Sequence, residues 1–245
     1  LSPTLDDVPA EELRDVRAGR LPARYGRRMQ DAFLERLRPL LVEGVTILDV
    51  GGGRDPTLGA ADRPTGCRYL GLDISAEELE AAGADAYDAH YVHDIAEPLP
   101  HLSDVDVIIS WQVLEHVASL PMALTNLRAM LRPGGSLLAQ TSGSFAAFAV
   151  AARLMPHWLR VKVLTRYLGH LEEDKFPTHY DHCTARALRK LLRSWASSQI
   201  VPFYRGAPYF SISRPLQRLY LGYEDFIAAR EWENLATHYL VVAVA

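Results

Sequence analysis

A chain of 245 residues, 49% hydrophobic and 23% charged, is long enough for one large α/β domain and has the balance of a soluble globular protein. Its net charge of -4 argues against a nucleic-acid partner, and two isolated cysteines, Cys67 and Cys183, exclude a disulfide framework or a cysteine zinc site. No apolar run reaches the roughly 18 residues of a membrane span, and nothing resembles a secretory signal, so a cytoplasmic protein is expected; a start at Leu1 says nothing of what precedes it.

Residues 8–20 and 27–42 read as two leading helices, the second carrying Met29, Phe33, Leu37, Leu40 and Leu41 on one face. Gly44 ends it, and 45–50 is a buried strand. The Pro- and Gly-rich stretch from Arg54 to Gly66 leaves room only for a short helix before a strand over 68–72. Ser75 is placed to cap a helix through about Ala82, with Glu77 and Glu78 favourable in its first turn. A strand near 87–93 runs into His93-Asp94-Ile95, and Asp104 to Ser110 is another apolar strand. A helical region from about Leu114 to Leu131 is expected to break at Pro121. Pro133-Gly134-Gly135 is a tight turn into a strand over 136–141.

Five strands alternating with helices predict a parallel sheet built from right-handed crossovers. Beyond it, 144–170 reads as an apolar helical stretch, 171–183 as a polar loop and 184–197 as an amphipathic helix capped by Thr184. A strand at 199–205, an aromatic-rich excursion over 207–232 and a last strand at 236–245 complete the chain. The predicted fold is α/β: a Rossmann-like, doubly wound, seven-stranded, mostly parallel sheet with an antiparallel last strand and a helical lid insertion. One domain spans 1–245. It comprises a helical lid (1–43), a cofactor-binding core (44–141), a substrate-lid insertion (142–183) and a C-terminal part (184–245).

Chemistry gathers just past the strand ends. The first strand runs into Asp49-Val50-Gly51-Gly52-Gly53, and glycines let a backbone turn sharply and approach a ligand closely. Asp73 ends the second strand, where an acid suits a ribose diol. Asp94-Ile95 follows the third. The fourth leads into Ser110-Trp111-Gln112 and then Leu114-Glu115-His116-Val117, with Leu131-Arg132-Pro133-Gly134-Gly135 further on.

In that order and spacing these motifs resemble the class I S-adenosylmethionine-dependent methyltransferases, small-molecule type, most clearly over 45–141. The resemblance implies roles. Gly51, Gly52 and Gly53 would pass under the methionine part of S-adenosylmethionine, and Asp49 would orient its amino group. Asp73 would accept both ribose hydroxyls, with Ile74 packed on the adenine face. Asp94 would accept from the adenine amine while the Ile95 backbone reads the ring edge. The backbone around Ser110, Trp111 and Gln112 would close over the methionine amino group. The loop departs from the family where a third glycine is usual: Asp55 and Pro56 stand there instead. The following helix must be short or displaced, so Arg54, or Arg24 beside Tyr25, is a candidate to replace its dipole at the cofactor carboxylate.

The implied activity is methyl transfer to an oxygen or nitrogen of a small acceptor, apolar, anionic or linked to a lipid or sugar. His116 and His179 are the candidate general bases, since histidine titrates near neutrality; the bland reading of His116 is packing at a helix start. His179-Tyr180-Asp181-His182 reads as a lid-loop contact to substrate, with no metal expected. Tyr25, Trp158, His179 and Tyr180 are the candidate substrate contacts. The acid-free stretch 143–171, with its four cations, is read as a pocket lid in preference to a membrane-surface contact. The rival functions are an NAD(P)-binding oxidoreductase, which expects the missing glycine, and a non-catalytic binding protein on a degraded methyltransferase fold.

Overall fold

The computed structural model describes residues 22–99, 101–146, 177–210 and 213–245. Among them, seven strands form one sheet: β1 (Thr46–Val50), β2 (Arg68–Asp73), β3 (Ala89–Val92), β4 (Val105–Trp111), β5 (Leu131–Ser142), β6 (Ser197–Phe203) and β7 (His238–Val244). Their spatial order is β3-β2-β1-β4-β5-β7-β6. The first five pair in parallel, and β7 runs antiparallel between β5 and β6. The α/β class, the strand number and the reversed last strand all match the expectation. The helix expected over 8–20, most of that over 144–170, and Trp158 lie outside the described residues.

Both faces of the sheet are covered, which is why β1 and β4 read as nearly continuous apolar runs. One face packs Ile47, Ile109 and Leu138 against Ala32, Phe33 and Leu37 of α1 (Met29–Leu37) and Leu79 of α2 (Ala76–Ala81). The other packs Leu48, Ile108 and Leu137 against Leu120, Leu124 and Leu127 of α3 (Leu120–Met130) and Leu188 of α4 (Ala185–Leu191). Each such buried aliphatic or aromatic side chain contributes about 1.5–3 kcal/mol. Ser75 caps α2 as expected, its hydroxyl accepting from Glu78 N–H at 3.2 Å, and Thr184 caps α4 in the same way.

The helix expected over 184–197 ends at Leu191 and the strand expected at 199–205 is Ser197–Phe203; four other boundaries differ from the sequence reading for a local reason. The leading helix stops at Leu37 because Pro39 tightens the chain into a 3-10 turn over Arg38–Leu40. Pro121 does not break a helix; it starts α3, in the first turn, where a missing N–H is no loss. The segment before it, Leu114–His116, is a separate 3-10 turn. The strand after the Pro133-Gly134-Gly135 turn reaches back to Leu131. Val105 pairs with Leu131 but Val107 pairs with Ser136, so the turn is carried as a bulge within the ladder. Gly134 takes a φ of +78° there, and its N–H donates to Ala245 O at 3.2 Å.

The aromatic-rich excursion contains a helix the sequence reading did not place, α5 (Arg214–Ala229). It docks through Glu224, which is fully buried. The Glu224 carboxylate accepts from the Tyr25 hydroxyl, the Gly206 N–H and, at 3.2 Å, the Arg24 guanidinium. Arg205 closes the same junction by donating to Arg27 O at 2.9 Å.

Candidate active site

The carboxyl ends of β3, β2, β1 and β4 lie side by side, and each delivers one of the motifs found in the sequence. After β1 the chain turns through Gly51 and Gly53, whose φ values of +75° and +47° favour glycine. A β-carbon on Gly51 would overlap the Val113 side chain, and one on Gly52 would strike the Asp49 carboxylate and the Tyr87 hydroxyl. The loop is thus a backbone cradle with no room for side chains. No regular helix follows it. The connection to β2 holds only a 3-10 turn, Ala60–Asp62, among the described residues.

Asp49, expected to orient the cofactor's amino group, lies beneath the loop. Its carboxylate is fully buried and accepts from the Tyr69 hydroxyl at 2.6 Å, Thr57 N–H at 2.7 Å and Thr57 Oγ1 at 2.8 Å. These partners lie within the protein, so Asp49 shapes the glycine loop from beneath. Burial pushes its carboxyl pKa up, against the pull of those donors. Tyr87 completes the support: its hydroxyl donates to Gly53 O at 2.9 Å and its ring stacks on Tyr69 at 5.6 Å. The Arg63 guanidinium lies 3.8 Å from the centre of the Tyr69 ring. Thr57, Tyr69, Tyr87 and Arg63 escaped the sequence reading, because their contacts join the β1–β2 connection to β2 and to the approach to β3, and no spacing announces them.

Asp73 ends β2 beside the loop. Its Oδ1 accepts from Ser75 N–H at 2.9 Å, which fixes the carboxylate against the start of α2. Burial raises its pKa, Glu78 adds to the rise, and the N–H groups of Ser75, Ile74 and Gly53 oppose it. Ile74 next to it is 58% exposed, an apolar side chain held open at the mouth. The register brings Asp94 alongside: Asp73 pairs with Val92, and His93 N–H donates to Asp73 O at 2.9 Å. Asp94 Oδ1 accepts from Ala96 N–H at 2.8 Å, and Ile95 is buried with its carbonyl bound to Asn126 Nδ2 at 3.0 Å.

At the end of β4, Gln112 takes a left-handed φ of +56° and donates its N–H to Gln140 O at 3.0 Å. A non-glycine residue in that conformation is uncommon and concentrates at functional sites. The Ser110 hydroxyl, the Trp111 indole N–H and His116 Nδ1 are all buried without a hydrogen-bond partner among the described residues. Buried polar groups are almost always paired, so three orphans in one short stretch mark a place built to meet something else.

The 3-10 turn carrying His116 is tied to the far side of the insertion. Glu115 O accepts from both His179 N–H (2.8 Å) and Tyr180 N–H (2.9 Å). The Glu115 side chain, itself buried, accepts from Thr141 Oγ1 at 3.0 Å and Ser142 N–H at 3.1 Å. Ser144 binds across the same neck, its N–H to Cys183 O at 2.7 Å and its Oγ to Tyr180 O at 3.0 Å. His179 and Tyr180 are therefore held against the turn that carries His116, with the His179 side chain exposed. Asp181 accepts from Leu120 N–H at 3.0 Å and thereby holds the start of α3, while it also pairs with His182. Among the described residues no group of three or more His, Cys, Asp or Glu is placed to hold a metal ion.

Three further candidates have protein partners of their own. Tyr25 has its hydroxyl engaged by Glu224 and by Ala207 N–H at 3.0 Å. Arg24 is bound to α5 through Glu224 and Asp225. Arg54 forms a forked pair with Glu78, Nη2 to Oε1 at 2.8 Å.

Residues 22–194 match the methyltransferase domain family. The chain belongs to that family. Among curated methyltransferases, the ubiquinone biosynthesis O-methyltransferase of Nitrobacter winogradskyi is 34% identical over 124 residues, 47% of each chain. That of Rhodopseudomonas palustris is 28% identical over 126 residues, 48% of this chain and 49% of its own. The chain spans about half the length of the curated relatives it matches. The class I methyltransferase fold is shared with a solved methyltransferase bound to the Haloferax volcanii Trm112 methyltransferase activator, with a TM-score of 0.55, 19% identity, and 89% and 91% of the two chains covered. It is shared too with the Streptomyces coelicolor geranyl diphosphate C-methyltransferase, at a TM-score of 0.51 and 16% identity over 88% and 78%.

Proposed function

We propose that the chain binds S-adenosylmethionine along the carboxyl ends of β1 to β4 and catalyses methyl transfer to an oxygen or nitrogen of a small-molecule acceptor. The observation that carries this reading is the row Asp94, Asp73, Gly51–Gly53, Ser110–Trp111 on four adjacent strand ends. Carboxylates suit the amine and diol donors of an adenosine, a bare backbone cradle suits close approach, and the exposed Ile74 offers a flat apolar platform. When bound, this cofactor supplies a methyl group already activated by a positively charged sulfur.

The protein's own contribution is then orientation and exclusion of water. Asp73 and Asp94 hold the adenosine end; Gly51–Gly53, kept in shape by Asp49 and Tyr87, hold the methionine end. An oxygen acceptor must lose a proton, and His116 or His179 takes it at a ring nitrogen. Oxygen is the favoured atom because the curated relatives are named as O-methyltransferases. No helix among the described residues is long and apolar enough to cross a membrane, and the cytoplasmic expectation remains part of this reading.

Calorimetric titration with S-adenosylmethionine, S-adenosylhomocysteine and NAD tests it. Binding of the first two and not of NAD is expected. Folded protein that binds neither adenosyl ligand overturns the proposal.

A further inference from the structure

The stretch Ser75-Ala76-Glu77-Glu78 has the form of a capping box. In such a box the first hydroxyl accepts from the N–H of the fourth residue, and the fourth carboxylate reaches back to the N–H of the first. Only half of that exchange is made. The Ser75 hydroxyl accepts from Glu78 N–H at 3.2 Å, but Ser75 N–H donates to Asp73 Oδ1 at 2.9 Å. The Glu78 carboxylate is turned instead to Arg54 of the glycine loop, which grips it through Nε at 2.5 Å and Nη2 at 2.8 Å.

This diversion bears on Asp73. Gly53 lies between the two acids: a β-carbon there would come within 3.3 Å of Asp73 Oδ2 and 3.2 Å of Glu78 Cβ. The Glu78 side chain is 14% exposed, so water screens its charge only in part. Like charges in one neighbourhood oppose each other's ionisation; burial raises the Asp73 pKa and Glu78 raises it further. A guanidinium forked on Glu78 offsets that charge and keeps the carboxylate away from the Ser75 N–H that orients Asp73. The other ionisable groups nearby come from three sides. Asp49 and Tyr87 lie beneath the loop, with Arg63 behind them on the Tyr69 ring; Asp55 follows Arg54, and His93 and Asp94 follow β3.

We propose, granted the cofactor reading above, that Arg54 is a positioning residue for the ribose site: by holding Glu78 it keeps the Asp73 carboxylate oriented and charged for the diol. Arg54 acts through Glu78 and touches no part of the cofactor. The cation of the glycine loop thus serves the adenosine end of the cradle, whereas the sequence pointed it at the methionine carboxylate.

The test compares the whole chain with Arg54→Gln and with the double variant Arg54→Gln/Glu78→Gln, titrating each with S-adenosylhomocysteine from about pH 8 to about pH 5. Arg54→Gln is expected to bind about tenfold more weakly near neutrality. Its affinity should also begin to fall on acidification at a pH about half a unit or more above that of the native protein. The second substitution removes the charge that Arg54 neutralises. The double variant is therefore expected to return to within about threefold of the native affinity and to the native pH response. A double variant as weak as Arg54→Gln would mean that Arg54 binds the cofactor directly or only clamps the loop, and overturns the inference. So does an Arg54→Gln titration that matches the native one at every pH. Failure of the native protein to bind S-adenosylhomocysteine at any pH sinks the methyl-transfer reading instead.

Discussion

The Tyr69 hydroxyl donates to the Asp49 carboxylate across 2.6 Å beneath the glycine loop, in a part of the sheet closed to solvent. Removing that hydroxyl with Tyr69→Phe keeps the ring, its stack on Tyr87 and its contact with Arg63, and leaves a buried carboxylate short of one bond and the Leu58 N–H without its acceptor at 3.0 Å. Such a loss is worth roughly 1–3 kcal/mol. For a protein of this size each kcal/mol lowers the melting temperature by about 2–4 °C. Thermal unfolding of Tyr69→Phe should show that fall, together with weaker S-adenosylhomocysteine binding as the loop loosens. A variant matching the native protein in both would show that Asp49 does not shape the loop.

Asp73→Asn keeps the size of the side chain and its turn with Ser75 but replaces a charged acceptor with a neutral one. A hydrogen bond to a charged group is worth about 1.5–3 kcal/mol, so affinity for S-adenosylhomocysteine should drop roughly 10- to 100-fold. Titration calorimetry reads this directly, and an unchanged dissociation constant would remove Asp73 from the site.

Acid should weaken the same complex earlier than an ordinary aspartate would. Burial and the nearby Glu78 hold the Asp73 pKa above the usual value of about 3.9. A diol donates to the ionised form and stabilises it, so binding lowers that pKa and releases protons. Affinity is full above the raised pKa and declines as the pH falls through it. For the unliganded fold the sign is opposite: a raised carboxyl pKa is a stability penalty present at higher pH and relieved on acidification. Calorimetry in two buffers of different ionisation enthalpy measures the proton release. An affinity flat down to about pH 4 would contradict the assignment.

Gly51→Ala faces two obstacles, a left-handed backbone and the Val113 side chain. The backbone term is roughly 1–2 kcal/mol, and the overlap adds to it. Combining it with Val113→Ala should remove only the second. The double variant is therefore expected to regain part of the lost stability and cofactor affinity, with a coupling energy of about 0.5–3 kcal/mol. Strict additivity of the two substitutions would mean that loop and rim do not touch.

Glu224→Ala should be among the most disruptive single changes outside the site. It leaves the Tyr25 hydroxyl, the Gly206 N–H and part of the Arg24 guanidinium without their shared acceptor. Breaking one side of a buried charged cluster typically costs about 3–5 kcal/mol. Denaturant unfolding would register it, and a change below about 1 kcal/mol would reduce this junction to a surface contact.

The parts of this architecture readable from the chain are those that repeat along it. Apolar runs ending in Asp49, Asp73 and Ser110 announced strands and their functional ends, because covered parallel strands are apolar throughout and ligand groups follow them directly. Ser75 and Thr184 were legible as caps for the same local reason. Pro121 was misread because a proline reads alike as a break and as a first-turn residue, and only packing decides between them. The inward turn of the Asp49 carboxylate depends on Thr57 and Tyr69, which the fold brings together and sequence separates. Glu78 was legible as a favourable first-turn acid, but its pairing with Arg54, 24 residues away, was not.

The neck at Ser144, Tyr180 and Cys183 fixes both ends of the stretch between them to the same few ångströms of the sheet. The entropy of closing a loop on such a clamp grows only with the logarithm of its length, about 0.6 kcal/mol per doubling. On that term alone, a longer stretch between the clamped ends costs the fold little. The neck is thus a fixed point of attachment, set by the sheet and independent of how much chain hangs from it.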